Sequence, residues 1–430
     1  MDIVVNWEQI VSWLVLIFIL FAFISSKIRY EAVAFGGLLF LGLLRISKPV
    51  ELFSGFSNPA LFTVIIVLVM SEGIVESGLF LGLGKSIAKK IHDPEKQILA
   101  VSFSAWFMSF FVNNVGVIGL ILPTAQRMAK RAGINKANFG LYILYAIFLG
   151  GSVTLISTAS NLIVSSFRFQ AFGQPFKMFD FTAHGLAMSA MSLLLWFLCR
   201  LCGHSPLRQQ KENILNPIPD RVESFISEPA RKISLRNTVI ILASLLLAIV
   251  LASIGLVHPS ITFGFVVLLW ITTDIFSLKT AYSAINISIL LFLGSMLSIS
   301  EILNRTGALP DLIEFILPLV ILIPAFPLIL VFLFITAILS NIVDNSVSAL
   351  LMSPAAILLF QSGTVNVTAD ALLMAVAAGA SLGLVLPTDP ATIVAMNSMG
   401  FQKKDFIKKG IIIALSAGIV ASIVIYFLWN

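Results

Sequence analysis

Adjacent polar side chains interrupt two stretches of otherwise apolar sequence. FVNNVGVIGLILP, residues 111–123, sets Asn113 beside Asn114, and NIVDNSVSALLMSP, residues 341–354, sets Asp344 beside Asn345 and Ser346. Two further stretches, GGSVTLISTASNLIVSS (150–166) and GASLGLVLPTDPATIV (379–394), break apolar runs with glycine, hydroxyls and proline. They offer Ser157, Thr158, Asn161, Thr388 and Asp389 as oxygen donors. Oxygen clusters of this kind suit a hard cation such as sodium. A helix that starts at such a break exposes free N–H groups and the positive end of its dipole, which suit an anion. Asp344 and Asp389 lie within apolar sequence, where an acid is costly and is usually kept for a proton or a cation. The plainer alternatives are an Asn pair that ties two helices together and a proline kink with hydroxyls bonded back onto the helix. Recurrence of both features at matched positions favours chemistry over either. Glu72, Glu76 and Glu301 fall near span ends, where a structural pair or a headgroup contact serves as well, and Asp274 is expected to be solvated.

What positions these groups must be embedded in lipid. Of 430 residues, 58% are hydrophobic and 11% charged, with a mean hydropathy of +1.02, whereas soluble domains carry about 25% charged residues. A water-soluble fold is excluded. The apolar runs approach the roughly 20 residues that a membrane-spanning helix needs and lack the alternation of barrel strands. Spans are expected near 9–26, 31–46, 56–79, 138–167 and 181–203, with a hairpin at 97–126. The second half repeats that order at 236–256, 259–274, 283–304, 369–398 and 407–428, with a hairpin at 326–360. The fold expected is an all-α integral membrane protein of about ten transmembrane helices and two re-entrant hairpins. Residues 1–203 form one repeat and 236–430 the other, and the polar, proline-containing segment 204–235 links them.

Three landmarks recur at nearly constant offset: Glu72 and Glu301 at 229, Asn114 and Asn345 at 231, Thr158 and Thr388 at 230. Five spans per half is an odd number, so the second half enters the bilayer upside down. Lys27/Arg29, Lys85 to Lys96, Arg127 to Lys136, Arg200 to Arg236, Lys279 and Lys403 to Lys409 then share one side. By the positive-inside rule that side is the cytoplasm, which puts both termini outside the inner (cell) membrane and the linker within the cell. Interrupted segments at matching positions of inverted halves point to a transporter's binding site.

Other classes find less support. The net charge of +6 comes from short clusters between spans, so no nucleic-acid partner is expected. Cys199 and Cys202 form a CxxC with His204 nearby, one ligand short of a metal site. The first apolar run lacks a preceding basic segment and a cleavage site, so it reads as a span rather than a signal peptide. No GxxxxGK[ST] motif occurs, and no nucleophile, base and metal constellation suggests an enzyme.

GFSNPALFTVIIVLVMSEGIVESGL (55–79), the two hairpin tips, the 150–166 segment and the KKDFIKKG before the last span together resemble the divalent anion:sodium symporter and citrate-transporter-like families. These belong to the ion transporter superfamily, which includes arsenite permeases and sodium/proton antiporters. The resemblance runs from about residue 31 to the end. It implies a homodimer in which a mobile transport domain carries substrate past a scaffold by an elevator motion. Asn114 and Asn345 match the Asn of the family's Ser-Asn-Thr tips, while Val115 lacks the Thr hydroxyl, and Asp344-Asn345 is closer to the arsenite permease and antiporter branches.

The expectation is a secondary transporter that couples a small anion, of the sulfate or dicarboxylate class, to sodium or protons. Substrate is assigned to Asn113, Asn114, Thr158, Asn161, Asn345, Ser346 and Thr388, and the coupling ion to Asn114, Ser157, Asp344, Asn345 and Asp389. No cofactor is expected beyond the coupling ions. The alternative is a cation/proton antiporter or arsenite-type efflux permease that exchanges on Asp344 and Asp389; an ion channel is the weaker reading, since channels need no inverted broken helices.

Overall fold

The computed structural model describes residues 6–25, 28–77, 79, 91, 93–132, 136–201, 235–255 and 257–430. Lys27, Gly78, Lys85 to Lys90, Cys202, His204 and nearly all of the 204–235 linker lie outside the described residues. Among those described the chain is all-helical. Five helices, Pro59–Glu76, Arg236–Ile254, Ile287–Arg305, Ala325–Ile342 and Lys403–Trp429, are long and apolar enough to cross a membrane, and several shorter apolar helices accompany them. The protein is a multi-pass membrane protein.

In the first half the elements are α1 (Trp7–Ser25), α2 (Tyr30–Leu43), α3 (Pro49–Leu52), a 3-10 turn (Ser54–Ser57), α4 (Pro59–Glu76), α5 (Pro94–Met108), α6 (Asn114–Ala132), α7 (Lys136–Gly151), α8 (Ala159–Phe172) and α9 (Thr182–Leu201). The second half has α10 (Leu235–Ile254), α11 (Pro259–Thr272), α12 (Leu278–Ala284), α13 (Ile287–Arg305), α14 (Ala308–Val320), α15 (Ala325–Ile342), α16 (Asn345–Gln361), α17 (Ala369–Ala380), α18 (Pro390–Met399) and α19 (Lys403–Trp429).

Local chemistry sets many of these boundaries. Asn58 caps α4 through the Ala60 N–H at 2.9 Å, and Pro59 occupies its first position. His258 and Pro259 do the same for α11. α2 and α11 both end on a residue held at positive φ, Arg45 at 57° and Asp274 at 55°. In each, the next N–H reaches back across the turn, Ile46 to Leu41 O at 3.1 Å and Ile275 to Trp270 O at 2.9 Å. The two expected long spans at 138–167 and 369–398 are each two helices, α7 with α8 and α17 with α18, because glycine, hydroxyls and proline stop the first helix and cap the next. The short α14 falls where no element was expected. Asp311 and Glu314, one helical turn apart, form its exposed polar face, and Asp311 accepts a hydrogen bond from Gln9 on α1.

Packing sorts the helices into two groups. In one, α2 packs on α13, α11 on α4, and α1, α3, α10, α12 and α14 attach to these. In the other, α5 packs on α7, α15 on α17, α9 on α19, α8 on α16, and α18 on α6 and α7. Most of these faces join an element of one half to an element of the other. The groups meet where α4 touches α6 and α8, and where α13 and α14 touch α16.

One ion pair ties the halves inside the second group. Arg168, near the end of α8, donates Nε to Asp370 Oδ1 at 2.8 Å and an Nη to Oδ2 at 2.9 Å. Its other Nη holds Gln174 O at 3.0 Å, and its guanidinium lies 4.7 Å from the Phe176 ring centre. Both side chains are about three-quarters buried, so this fork escapes most of the screening that weakens surface pairs. Asp370→Asn is expected to cost about 2 kcal/mol, since it leaves the largely buried guanidinium without its carboxylate. A lower midpoint in thermal unfolding of the detergent-solubilised protein, partly restored by Arg168→Met in the same chain, checks this.

Candidate functional site

The two hairpins turn at 109–113 and 343–344, and in each the outgoing helix begins at the polar pair. Asn113 precedes α6; its Oδ1 accepts from Gly116 N at 2.7 Å and its own N–H donates to Ser71 Oγ on α4 at 2.9 Å. Asp344 caps α16 by accepting from Ser346 N at 2.8 Å. The second residue of each pair faces the interrupted helix of its own half. A Cβ on Gly151, the last residue of α7, would lie 2.8 Å from Asn114 Oδ1 and 3.0 Å from Thr158 Cγ2, and one on Gly383 would lie 2.5 Å from Asn345 Oδ1. Bare glycine lets tip and break touch.

A serine on the incoming helix completes each contact. Ser109 Oγ lies 3.1 Å from Asn114 Oδ1 and 2.7 Å from Ile147 O. Ser340 Oγ lies 2.6 Å from Asn345 Oδ1 and 2.7 Å from Ala380 O. Both serines are essentially unexposed. A hydroxyl has one proton, and at each junction it faces two oxygens. If the amide stays as drawn, one oxygen lacks a donor; if it turns over, the serine is satisfied and Asn Oδ1 points away from it. Neither serine was singled out from the sequence. The signal was there: a serine five residues before the asparagine in both halves, again offset by 231.

The unwound segments are pinned differently in the two halves. In the first, the break supplies most of its clamps: the Ser157 hydroxyl lies within reach of the carbonyls of Gly151 and Thr154, Asn161 Nδ2 donates to Thr154 O at 2.9 Å, and Thr158 caps α8, while Thr154 Oγ1 donates to Phe110 O of the hairpin tip. Ser157 and Asn161 are wholly buried, so their side chains face backbone; Asn161 Oδ1 has no partner. In the second, the clamp comes from the hairpin. Asn341 Nδ2 donates to Ala337 O at 2.7 Å and Leu382 O at 3.2 Å, while its Oδ1 accepts from Val385 N at 2.7 Å and Leu386 N at 2.9 Å. The sequence reading missed Asn341 as well, because one asparagine at a helix end carries no pattern. Asp389 caps α18 through Ala391 N at 2.7 Å, and Thr388 beside it is exposed. The carboxylates of Asp344 and Asp389 are electrostatic neighbours, and the Tyr30 hydroxyl on α2 also feels Asp344. Tip and break residues of the second half therefore come together, as do Asn114, Gly151 and Thr158 of the first. Ser346 contributes its backbone N–H to the Asp344 cap.

The helices after these junctions cross between halves: α6 packs on α18, and α16 on α8. Four helix starts, capped by Asn113, Thr158, Asp344 and Asp389, thus belong to one interlocked group. The first-half caps are neutral and the second-half caps are acids. Such ends can hold a small anion on N–H groups and a cation on amide, hydroxyl and carboxylate oxygens.

Comparison with known proteins agrees on the class of molecule. The citrate transporter family profile matches residues 18–379. An uncharacterised transporter of Synechocystis is 29% identical over 42% of this chain and 30% of its own length. A protein of Chlamydomonas reinhardtii described as a probable sodium/sulfate cotransporter is 23% identical over 34% of this chain and 17% of its own. The chain thus spans less than a third of the length of either relative. Among solved structures, MtrF of Neisseria gonorrhoeae, described within a class of antimetabolite efflux pumps, superposes with a TM-score of 0.63 at 12% identity, over 99% of this chain and 98% of that one.

Asn341→Leu removes the partner of four backbone groups at once, each costing about 1–3 kcal/mol when left buried and unpaired. The variant is expected to lose at least about 3 kcal/mol in thermal unfolding, against about 1 kcal/mol for Ser109→Ala, which removes a single hydroxyl donor.

Proposed function

The chain belongs to the citrate transporter family, and from that premise we propose that it is a secondary active transporter moving a small anion, of the sulfate or dicarboxylate class, in symport with sodium or protons. The observation that carries the proposal is the paired junction. In both halves the hydroxyl of a serine, the amide oxygen of an asparagine and a carbonyl at the end of an interrupted helix converge, an oxygen cluster of the kind that suits a hard cation. Asn114 with Ser109 and the 151–158 break would hold one coupling ion, and Asn345, Asp344 and Asp389 the other. The substrate anion then rests on the neutral helix starts capped by Asn113 and Thr158 and on the cations, since no lysine or arginine lies mid-span. The sodium/sulfate description of the Chlamydomonas relative supports an anion with sodium.

The same proposal takes the halves as inverted repeats with re-entrant hairpins, and the two packed groups as a scaffold and a transport domain that moves past it in an elevator motion within a homodimer. It sets the termini outside the inner membrane and the linker in the cytoplasm. A second reading, exchange of cation or proton against an exported solute, has the acidic caps of the second half in its favour, together with the efflux description of MtrF.

The test is uptake of labelled sulfate and citrate into proteoliposomes under imposed sodium or proton gradients. Uptake driven by one gradient, and reduced at least tenfold in Asn114→Ala, is expected; uptake indifferent to both overturns the symport proposal. Asp344→Asn separates the two readings, because anion uptake should only weaken under symport, whereas exchange should be abolished.

A further inference from the structure

A second binding place lies on the outer side of the α5, α7, α9 and α19 cluster. There the halves differ: α15 packs face to face on α19, but α5 and α9 stand apart, bridged by Trp106, whose Nε1 donates to Ser189 Oγ at 2.9 Å. The gap is a cavity of about 220 Å³ walled by apolar side chains of the four helices. Its walls advance in register. Tyr142, Trp196 and Lys409 line one end, and Trp106, Leu149 and Ser189 line the other. Along α5 it runs from Ile98 to Trp106, about 12 Å at the α-helical rise. Phe103 and Leu193 on its rim are more than half exposed, so the groove opens sideways, toward the acyl chains.

The end that carries Lys409 has the features of a bilayer interface. The rings of Tyr142 and Trp196 meet edge to face at 6.5 Å, and such aromatics gather at headgroup level. Lys409 Nζ lies 3.2 Å from Asn138 Oδ1 and 5.3 Å from the centre of the Tyr142 ring. Lys136 at the start of α7 and Lys403, Lys404 and Lys408 on the first turns of α19 are exposed at the same end, with Asp405 the acid among them. A mostly apolar slot open to the acyl chains, with basic groups at its headgroup end, is complementary to one kind of occupant. We infer that this groove holds an anionic phospholipid of the surrounding bilayer, one acyl chain against Trp106 and Leu149 and the phosphate at Lys409. The site is separate from the junctions described above. Its occupant wedges α5, the incoming helix of the first hairpin, away from α9, so lipid bound here braces that hairpin.

Native mass spectrometry of the delipidated full chain in detergent tests this, with dioleoyl-phosphatidylglycerol and dioleoyl-phosphatidylcholine as probes. The wild-type protein is expected to retain phosphatidylglycerol about fivefold more tightly, the factor corresponding to about 1 kcal/mol for one lysine at an anionic headgroup. Lys409→Gln should bring that ratio close to one without changing phosphatidylcholine retention. Ala146→Phe, which fills the slot from α7, should reduce retention of both lipids. Equal retention of the two lipids by the wild type, or an unchanged ratio in Lys409→Gln, overturns the inference. So does undiminished phosphatidylglycerol retention in Ala146→Phe, which decides the matter alone if Lys409→Gln cannot be purified folded.

Discussion

A backbone that unwinds inside an apolar protein must find partners for every N–H and C=O it frees, and this constraint organises the centre of the molecule. Four interruptions, at 109–113, 152–158, 343–344 and 381–389, expose such groups where no lipid can answer them. The chain answers by placing the interruptions against one another. Each hairpin tip docks on the break of its own half through a glycine, and the serine before the tip reaches a carbonyl of the interrupted helix. The polar groups that could bind a solute are thus the same ones that make the broken backbone tolerable. A site of this type cannot be dismantled residue by residue without loosening the fold around it.

The two halves meet the constraint with different residues. The first break clamps itself in part, since Ser157, Thr158 and Asn161 all act within seven residues of Thr154, and Thr154 in turn donates to Phe110 O of the hairpin tip. The second break has a glycine, prolines and an exposed threonine in the equivalent stretch, with Asp389 capping the helix that leaves it. Asn341, on the neighbouring hairpin, takes over with both ends of one amide. Both junctions are joints between hairpin and break, and the second rests on the hairpin more heavily than the first.

That difference explains what could be read from residue types alone. Composition and apolar run length suffice for a helical membrane protein, and the repeated polar pairs suffice to locate the hairpin tips, because both signals are local. Asn113, Asp344 and Asp389 sit at helix starts for the same reason that made them visible, since an amide or an acid before an apolar run is a cap, and Asn114 and Asn345 follow as the first residues of α6 and α16. Contacts between segments left fainter marks. Asn341 acts across forty residues of chain, and Ser109 and Ser340 are ordinary serines in apolar helices until the matching offset is noticed. Ser157 and Asn161 were legible as polar residues in a break, but not as side chains turned toward backbone rather than solute. The breaks within the 138–167 and 369–398 runs were both legible, the first from glycine and hydroxyls and the second from glycine and proline.

The charge difference between the halves follows from the caps. A helix start needs an oxygen acceptor, and Asn113, Thr158, Asp344 and Asp389 all supply one. For capping alone, a neutral amide or hydroxyl is as good as an acid. An acid adds a negative charge that apolar surroundings penalise, and two neighbouring acids add mutual repulsion on top. Stability alone therefore gives no reason for both second-half caps to be aspartates when both first-half caps are neutral. A cation or proton that binds there removes the penalty, and the affinity it gains is the energy the empty site was missing. Neutral caps opposite leave their helix dipoles uncancelled and open to an anion. Under the proposed symport, coupling of the two solutes would need no direct contact with a fixed positive side chain, because the charge that attracts the anion would arrive with the other ion.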